Sequence, residues 1–188
     1  MASRGAYAKG IAKREEILEA ALGVVAELGY SKASVREIAK ASGLSPAGLL
    51  HYFGSKEELF LAILTARDER DQRDSAGAGF IEGFVAVMAH NAAVPGLMQL
   101  YARLAAESGD PEHPAHEFFK ERTARLEGIA AVAIAEAQER GEIRADLDLA
   151  WIMRTVHALA DGLQTAWMTD PSIDMAADME GFLALLRP

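Results

Sequence analysis

Between Ser34 and Leu59 the chain reads SVREIAKASGLSPAGLLHYFGSKEEL, and its punctuation divides it into three short helices. Ser34 and Glu37 form an S-x-x-E capping box, in which the serine oxygen accepts the backbone N–H three residues on and the glutamate reaches back to the Ser34 N–H. Val35, Ile38 and Ala39 give this helix its apolar side. Gly43 ends it, because a residue without Cβ turns left-handed at no steric cost. Ser45-Pro46 restarts a helix with a serine N-cap and a proline at the first position, where the missing N–H had no partner to lose. That helix closes at Phe53-Gly54, and Ser55 with Glu58 repeats the capping box to open the next. Two helices of this size joined by a short glycine turn form a helix-turn-helix, whose second helix such motifs lay in the DNA major groove. The same spacing also fits an ordinary helix pair inside a bundle.

The particular residues favour the first of these. Ser34-Val35-Arg36-Glu37-Ile38-Ala39, Gly43-Leu44-Ser45, Gly48-Leu49-Leu50-His51-Tyr52-Phe53 and Ser55-Lys56-Glu57-Glu58-Leu59 resemble the DNA-binding domain of the tetracycline-repressor-like (TetR) family of bacterial transcription regulators. The likeness extends upstream to Arg14-Glu15-Glu16-Ile17-Leu18-Glu19-Ala20-Ala21, which is similar to the family's first helix. One departure stands out. The family often has tyrosine where this chain has Leu50, and that tyrosine commonly touches a DNA phosphate, so the resemblance passes the contact to His51 or Tyr52.

Net charge is −9, an unpromising total for a protein that meets DNA, but the charge is unevenly spread. Residues 1–56 hold 8 Lys and Arg against 5 Asp and Glu, a net +3, and residues 57–188 hold 11 against 23, a net −12. Phosphate binding needs a few local cations and helix N-termini rather than a basic whole, and the acidic remainder discourages indiscriminate adhesion to DNA. The absence of cysteine removes disulfides, thiolate zinc sites and cysteine catalysis. Residues 1–10 carry no signal-peptide pattern, and the apolar window Gly79–Met98 is interrupted by Glu82, His90, Asn91 and Pro95, so a cytoplasmic protein without a membrane span is expected.

Residues 1–10 are expected to be a mobile arm. The first helix is placed at Ile11–Leu28, with Ile17, Ala21, Val24 and Leu28 on one face and Gly29 ending it; Lys13 and Arg14 see phosphate or solvent. On the helix-turn-helix, the DNA-facing set is Ser34, Arg36, Ser45, Pro46, Ala47, Gly48, Leu49, His51 and Tyr52, with Leu50 and Phe53 turned to the core. This set has one arginine and no Asn or Gln, so base readout leans on Arg36, His51, contact with thymine methyls and DNA shape. Lys56, at the start of the next helix, suits a phosphate.

That helix runs from Lys56 to Asp74, and Ser75–Gly79 is the first clear break. Helices follow at Phe80–Asn91, from Pro95, at Ala115–Arg140 with Arg122, Ile129 and Val132 on its inner side, at Leu147–Thr169 and at Ser172–Leu186. His113 and His116 lack a third clustered ligand, and no metal and no cofactor is expected. His157 and Asp161 can be drawn as a catalytic pair, but a plain hydrogen bond suffices, and no other arrangement suggests an enzyme.

The expected fold is all-α: an N-terminal three-helix helix-turn-helix DNA-binding domain over residues 1–56, and a C-terminal helical ligand-binding and dimerisation domain over residues 57–188, about nine helices in all. Asp161-Gly162-Leu163-Gln164, Trp167 and Asp170-Pro171 match wording common in the family's dimerisation helices. The resemblance therefore implies a homodimer through Ala158, Gly162, Thr165, Ala166, Met179 and Phe182, binding a near-palindromic double-stranded DNA operator. It also implies a small-molecule effector, with Phe84, Met88, Tyr101, Phe118, Met153, His157 and Trp167 as lining candidates. Their aromatic and thioether character points to a hydrophobic molecule. A homodimeric repressor released by that molecule is the leading expectation. A DNA-binding regulator without an effector and a helical enzyme are the alternatives.

Overall fold

The computed structural model describes residues 2–74 and 77–188. Ser75 and Ala76, part of the break expected before Phe80, lie outside the described residues. Among those described there are nine helices and no strand: α1 (Ala2–Leu28), α2 (Val35–Ala41), α3 (Pro46–Phe53), α4 (Lys56–Asp74), α5 (Phe80–Ala93), α6 (Pro95–Glu107), α7 (Ala115–Glu139), α8 (Leu149–Thr169) and α9 (Met175–Ala184).

The serine half of each expected cap is made, whereas the return bonds from Glu37 and Glu58 to the serine N–H groups are not. Ser34 Oγ accepts the Glu37 N–H at 3.2 Å, Ser45 Oγ the Gly48 N–H at 3.0 Å and Ser55 Oγ the Glu58 N–H at 3.0 Å. Asp148 and Asp174 cap α8 and α9 in the same manner. After α2, Gly43 sits at φ 67°, with its N–H on the Lys40 carbonyl and the Leu44 N–H on the Ala39 carbonyl. This is a Schellman motif, and it folds the turn between α2 and α3. One boundary differs from expectation. The segment read as an arm is helical, since α1 begins at Ala2; it contains three alanines and no proline, and its two glycines weaken a helix without ending it.

The chain forms two compact units. The first runs to Arg70 and also takes in Pro95–Ala115, so α6 packs with α1 while α1 and α2, and α2 and α3, pack in turn. Its core includes Ile17, Ala21, Leu22, Val25, Ile38, Leu49, Phe53, Leu59, Ile63 and Leu100, all buried. On α1 the buried face is thus Ile17, Ala21 and Val25, stepping by four, with Leu22 beside it. Val24 is half-buried, and Leu28, expected inside, is 39% exposed. At the crossing of α6 with the last turn of α1, Gly96 is buried against the Val25 carbonyl.

The second unit comprises Asp71–Val94 and His116–Pro188. Here α9 packs on α5 and α8. Along α8, Ile152, Val156, Ala160, Gln164 and Trp167 form the buried stripe. The link from α7 to α8 is held by Gln138, whose Nε2 donates to the Arg144 and Leu147 carbonyls at 2.9 and 3.0 Å. On α7 the inner residues are Arg122, Ile134 and Ala137, whereas Ile129 and Val132, expected inside, are 45% and 61% exposed. No single helix among the described residues is long and apolar enough to cross a membrane.

Candidate nucleic-acid interface

The outer surface of the helix-turn-helix carries most of the residues expected to face DNA. Ser34 and Arg36 are exposed at the start of α2. Ser45, Pro46, Ala47 and His51 are exposed on α3, with Gly48 and Tyr52 half-covered. Lys56 is exposed at the first position of α4, its Nζ 5.5 Å from the centre of the Phe60 ring. The His51 and Tyr52 rings meet edge to face at 6.1 Å between centroids.

Leu49 is the correction. It was expected on the groove side, but no part of it is exposed. Leu49 and Phe53, four apart, form the buried edge of α3, and Leu50 is only half-buried. On a helix this short both i, i+3 and i, i+4 pairings fit the apolar pattern, and packing on α2 selects the second. The groove side of α3 is then small and polar apart from the two aromatic rings. Backbone can approach DNA closely there.

Two basic residues of α1 occupy places that local sequence does not reveal. Lys13 Nζ donates to the Ser42 carbonyl, at the C-terminal cap of α2, at 3.3 Å and to Glu16 at 2.7 Å. Arg14 Nη1 donates to the Tyr52 carbonyl in the last turn of α3 at 2.6 Å, and its guanidinium carbon lies 4.2 Å from the centre of the Phe53 ring. These contacts span 29 and 38 residues of sequence. The sequence signal was limited to two adjacent cations preceding an apolar helix face.

The residues expected around an effector divide between the units. Met88, Met153 and Trp167 are buried in the second, where Phe84, Phe118 and His157 are half-covered. Tyr101 belongs to the first unit, where the Arg67 guanidinium stands 5.6 Å from its ring centre. His157 Nε2 lies 3.8 Å from Asp161 Oδ2, beyond hydrogen-bond reach. His113 Nδ1 accepts the Ala115 N–H at 3.1 Å and so helps to start α7. Of the residues expected at a dimer interface, Ala158, Gly162, Thr165 and Ala166 line the exposed side of α8, and Phe182 is half-covered. Met179 is fully buried within the protomer itself.

Known proteins share this organisation. Residues 17–63, from mid-α1 into α4, match the profile of the family described as bacterial regulatory proteins, tetR family. The HTH-type transcriptional repressor AcnR of Corynebacterium efficiens is 27% identical over 169 residues, covering 88% of this chain and 87% of the relative. The fatty acid metabolism regulator protein of Bacillus subtilis is 28% identical over 189 residues, covering 93% of both. Among solved structures, one from Rhodococcus sp. classed with the TetR-family transcriptional regulators superimposes with a TM-score of 0.74 at 23% identity, over 94% of this chain and 98% of that one. The regulator FadR from Bacillus subtilis, solved in complex with stearoyl-CoA, superimposes with a TM-score of 0.66 at 24% identity, over 92% and 96%. Capped helix-turn-helix, basic N-terminal end and all-helical remainder agree with these matches: residues 17–63 form a DNA-binding domain of the tetR family of bacterial regulatory proteins, in a chain similar over most of its length to transcriptional repressors and regulators.

Proposed function

We propose that the protein is a homodimeric, non-catalytic repressor that acts in the cytoplasm and leaves its operator when a small hydrophobic molecule binds the helical C-terminal part. In this division of labour residues 1–56 read DNA, and residues 57–188 bind the effector and dimerise. The observation that carries the DNA role is the outward display of Arg36, Ser45, Ala47, His51 and Lys56 around α3, while Leu49 and Phe53 anchor that helix from behind. Two copies related by a two-fold axis would set their α3 helices about 34–36 Å apart, one turn of B-DNA, and so require a near-palindrome. Effector binding opposes DNA binding only to the extent that the molecule prefers a dimer geometry with the wrong spacing, and the opposition is reciprocal.

The two curated relatives named above support repression and regulation of fatty acid metabolism as activities of those proteins, and the stearoyl-CoA complex supports a hydrophobic acyl molecule as the ligand of that one. The carry-over to this chain rests on the aromatic and thioether set Phe84, Met88, Phe118, Met153 and Trp167 of the second unit. For the dimer, the support is the exposed row of small residues on α8. A Cβ added at Gly162 meets nothing within 4 Å, so Gly162→Glu is expected to leave the protomer folded and to convert the dimer to a monomer in sedimentation. A dimer that survives this change places the interface elsewhere.

Selection of bound fragments from random-sequence DNA tests the whole reading. A near-palindrome with half-sites about one turn apart is expected, and recovery of no preferred sequence at low salt would overturn it. On the recovered duplex, Lys56→Ala is expected to weaken binding similarly for all sequences and to lower the salt slope by about 0.9, as loss of one phosphate contact requires. His51→Ala is expected to alter sequence preference while leaving that slope alone.

A further inference from the structure

Both helices of the helix-turn-helix end against a cation from α1. A helix leaves its last carbonyls without intrahelical donors and carries partial negative charge there. Lys13 answers the Ser42 carbonyl at the end of α2, and Arg14 answers the Tyr52 carbonyl at the end of α3. Arg14 does more than neutralise charge. Its planar guanidinium spans from the Tyr52 carbonyl to the Phe53 ring, which is only 3% exposed and packs α3 into the core. One side chain thus grips the backbone and the anchoring ring of α3 at the end opposite Ser45. Immediately after it, Gly54 turns at φ 82° and the Gly54 N–H returns to the Leu50 carbonyl at 2.7 Å. The exit of α3 is therefore fastened on one side by Arg14 and on the other by the turn into α4.

We propose that Arg14 is a positioning residue for DNA reading: by clamping the Tyr52 carbonyl and the Phe53 ring it fixes the pitch at which α3 meets the groove, without itself contacting phosphate. The proposal rests on the DNA-reading role of α3. It differs from the expectation that Lys13 and Arg14 see phosphate or solvent, because the guanidinium of Arg14, although the residue is exposed, is held by the Tyr52 carbonyl and the face of the Phe53 ring. A helix eight residues long has little stiffness to resist rotation once its exit is released. The base-facing side chains on α3 and the phosphate-facing Lys56 at its far side would then no longer meet their targets together.

The test uses full-length wild type, Arg14→Ala and Arg14→Lys. Each is titrated with the duplex that the wild type recovers from a random library, and with an unrelated duplex of equal length, over a range of salt. Amide exchange is followed without DNA. Arg14→Ala is expected to stay folded, to lose about tenfold in affinity for the recovered duplex alone, and to keep both salt slopes. Exchange at Leu50–Gly54 should quicken while that of α2 holds, and Arg14→Lys, which keeps a donor for the Tyr52 carbonyl, should recover part of the preference. Equal losses on both duplexes with a slope lower by about 0.9 would make Arg14 a phosphate contact and overturn the proposal. An unchanged preference would overturn it too. Failure of the wild type to select any sequence would instead count against the DNA-reading role, and the exchange at Leu50–Gly54 then decides the clamp by itself.

Discussion

Gly96→Ala is expected to be among the most damaging single-methyl additions available in this protein. The added Cβ would run into the Val25 carbonyl, with the Val25 carbonyl carbon at 2.9 Å and the Gly29 Cα at 3.0 Å. All three neighbours are backbone, so no rotamer change makes room. Overpacking a core against side chains costs about 1–3 kcal/mol, and here α1 and α6 must separate instead, which puts the loss at the top of that range, about 3 kcal/mol. Against a typical stability of about 5–15 kcal/mol this is a large fraction, and the first unit should unfold at a markedly lower urea midpoint. The direction is informative because alanine is the better helix former by about 1 kcal/mol, so propensity alone predicts stabilisation. A midpoint equal to or above that of the wild type would mean that α1 and α6 do not cross at Gly96.

Leu49→Ala ranks next, and it separates two views of α3. If Leu49 faced the groove, its truncation would leave stability unchanged and weaken only DNA binding. Because it is fully buried, truncation opens a cavity behind α3 and is expected to cost about 2–5 kcal/mol. DNA binding would then fall in step with the fraction unfolded, and would return when the variant is measured well below its melting range. His51→Ala is the control from the exposed face of the same helix, expected to change binding and leave the melt within about 0.5 kcal/mol of wild type. A Leu49→Ala variant with an unaltered melt would restore Leu49 to the DNA-facing set.

What was legible in the chain follows the range of the interactions concerned. Serine caps, the proline at the start of α3 and the glycines after α2 and α7 act over three or four residues, and the helices they bound appear within a residue or two of their expected ends. The family likeness was legible for the same reason, since most of its matching words lie in short runs between Arg14 and Leu59. Faces were less secure. On α1 a step of four in place of three moved the core from Val24 and Leu28 to Leu22 and Val25, and on α3 the same ambiguity moved it from Leu50 to Leu49. Ile129 and Val132 show the converse error, for apolar side chains at helical spacing do not say whether a helix has a partner on that side. Least legible were contacts between distant segments. Nothing around Arg14 names Tyr52 or Phe53, and nothing around Pro95–Glu107 ties that helix to α1 rather than to its neighbour in sequence, α5. The glycine at its second position is a clue only once the facing backbone is known.

The return of α6 to the first unit bears on how the protein can be made. A chain emerging from the ribosome delivers α1 to α4 first, then residues that belong to the other unit, and only afterwards the Leu97, Met98 and Leu100 side chains that complete the first core. Until then the α6-facing side of α1 near Val25 has no cover, and synthesis at about 5–20 residues per second keeps it waiting for seconds. An N-terminal fragment cut after Arg70 would carry that exposed seam permanently. The DNA-reading end, although contiguous in its recognition sequence, thus shares its core with a helix from beyond the other unit's first segment, and a fragment reaching past Glu107 is expected to melt higher than one cut after Arg70.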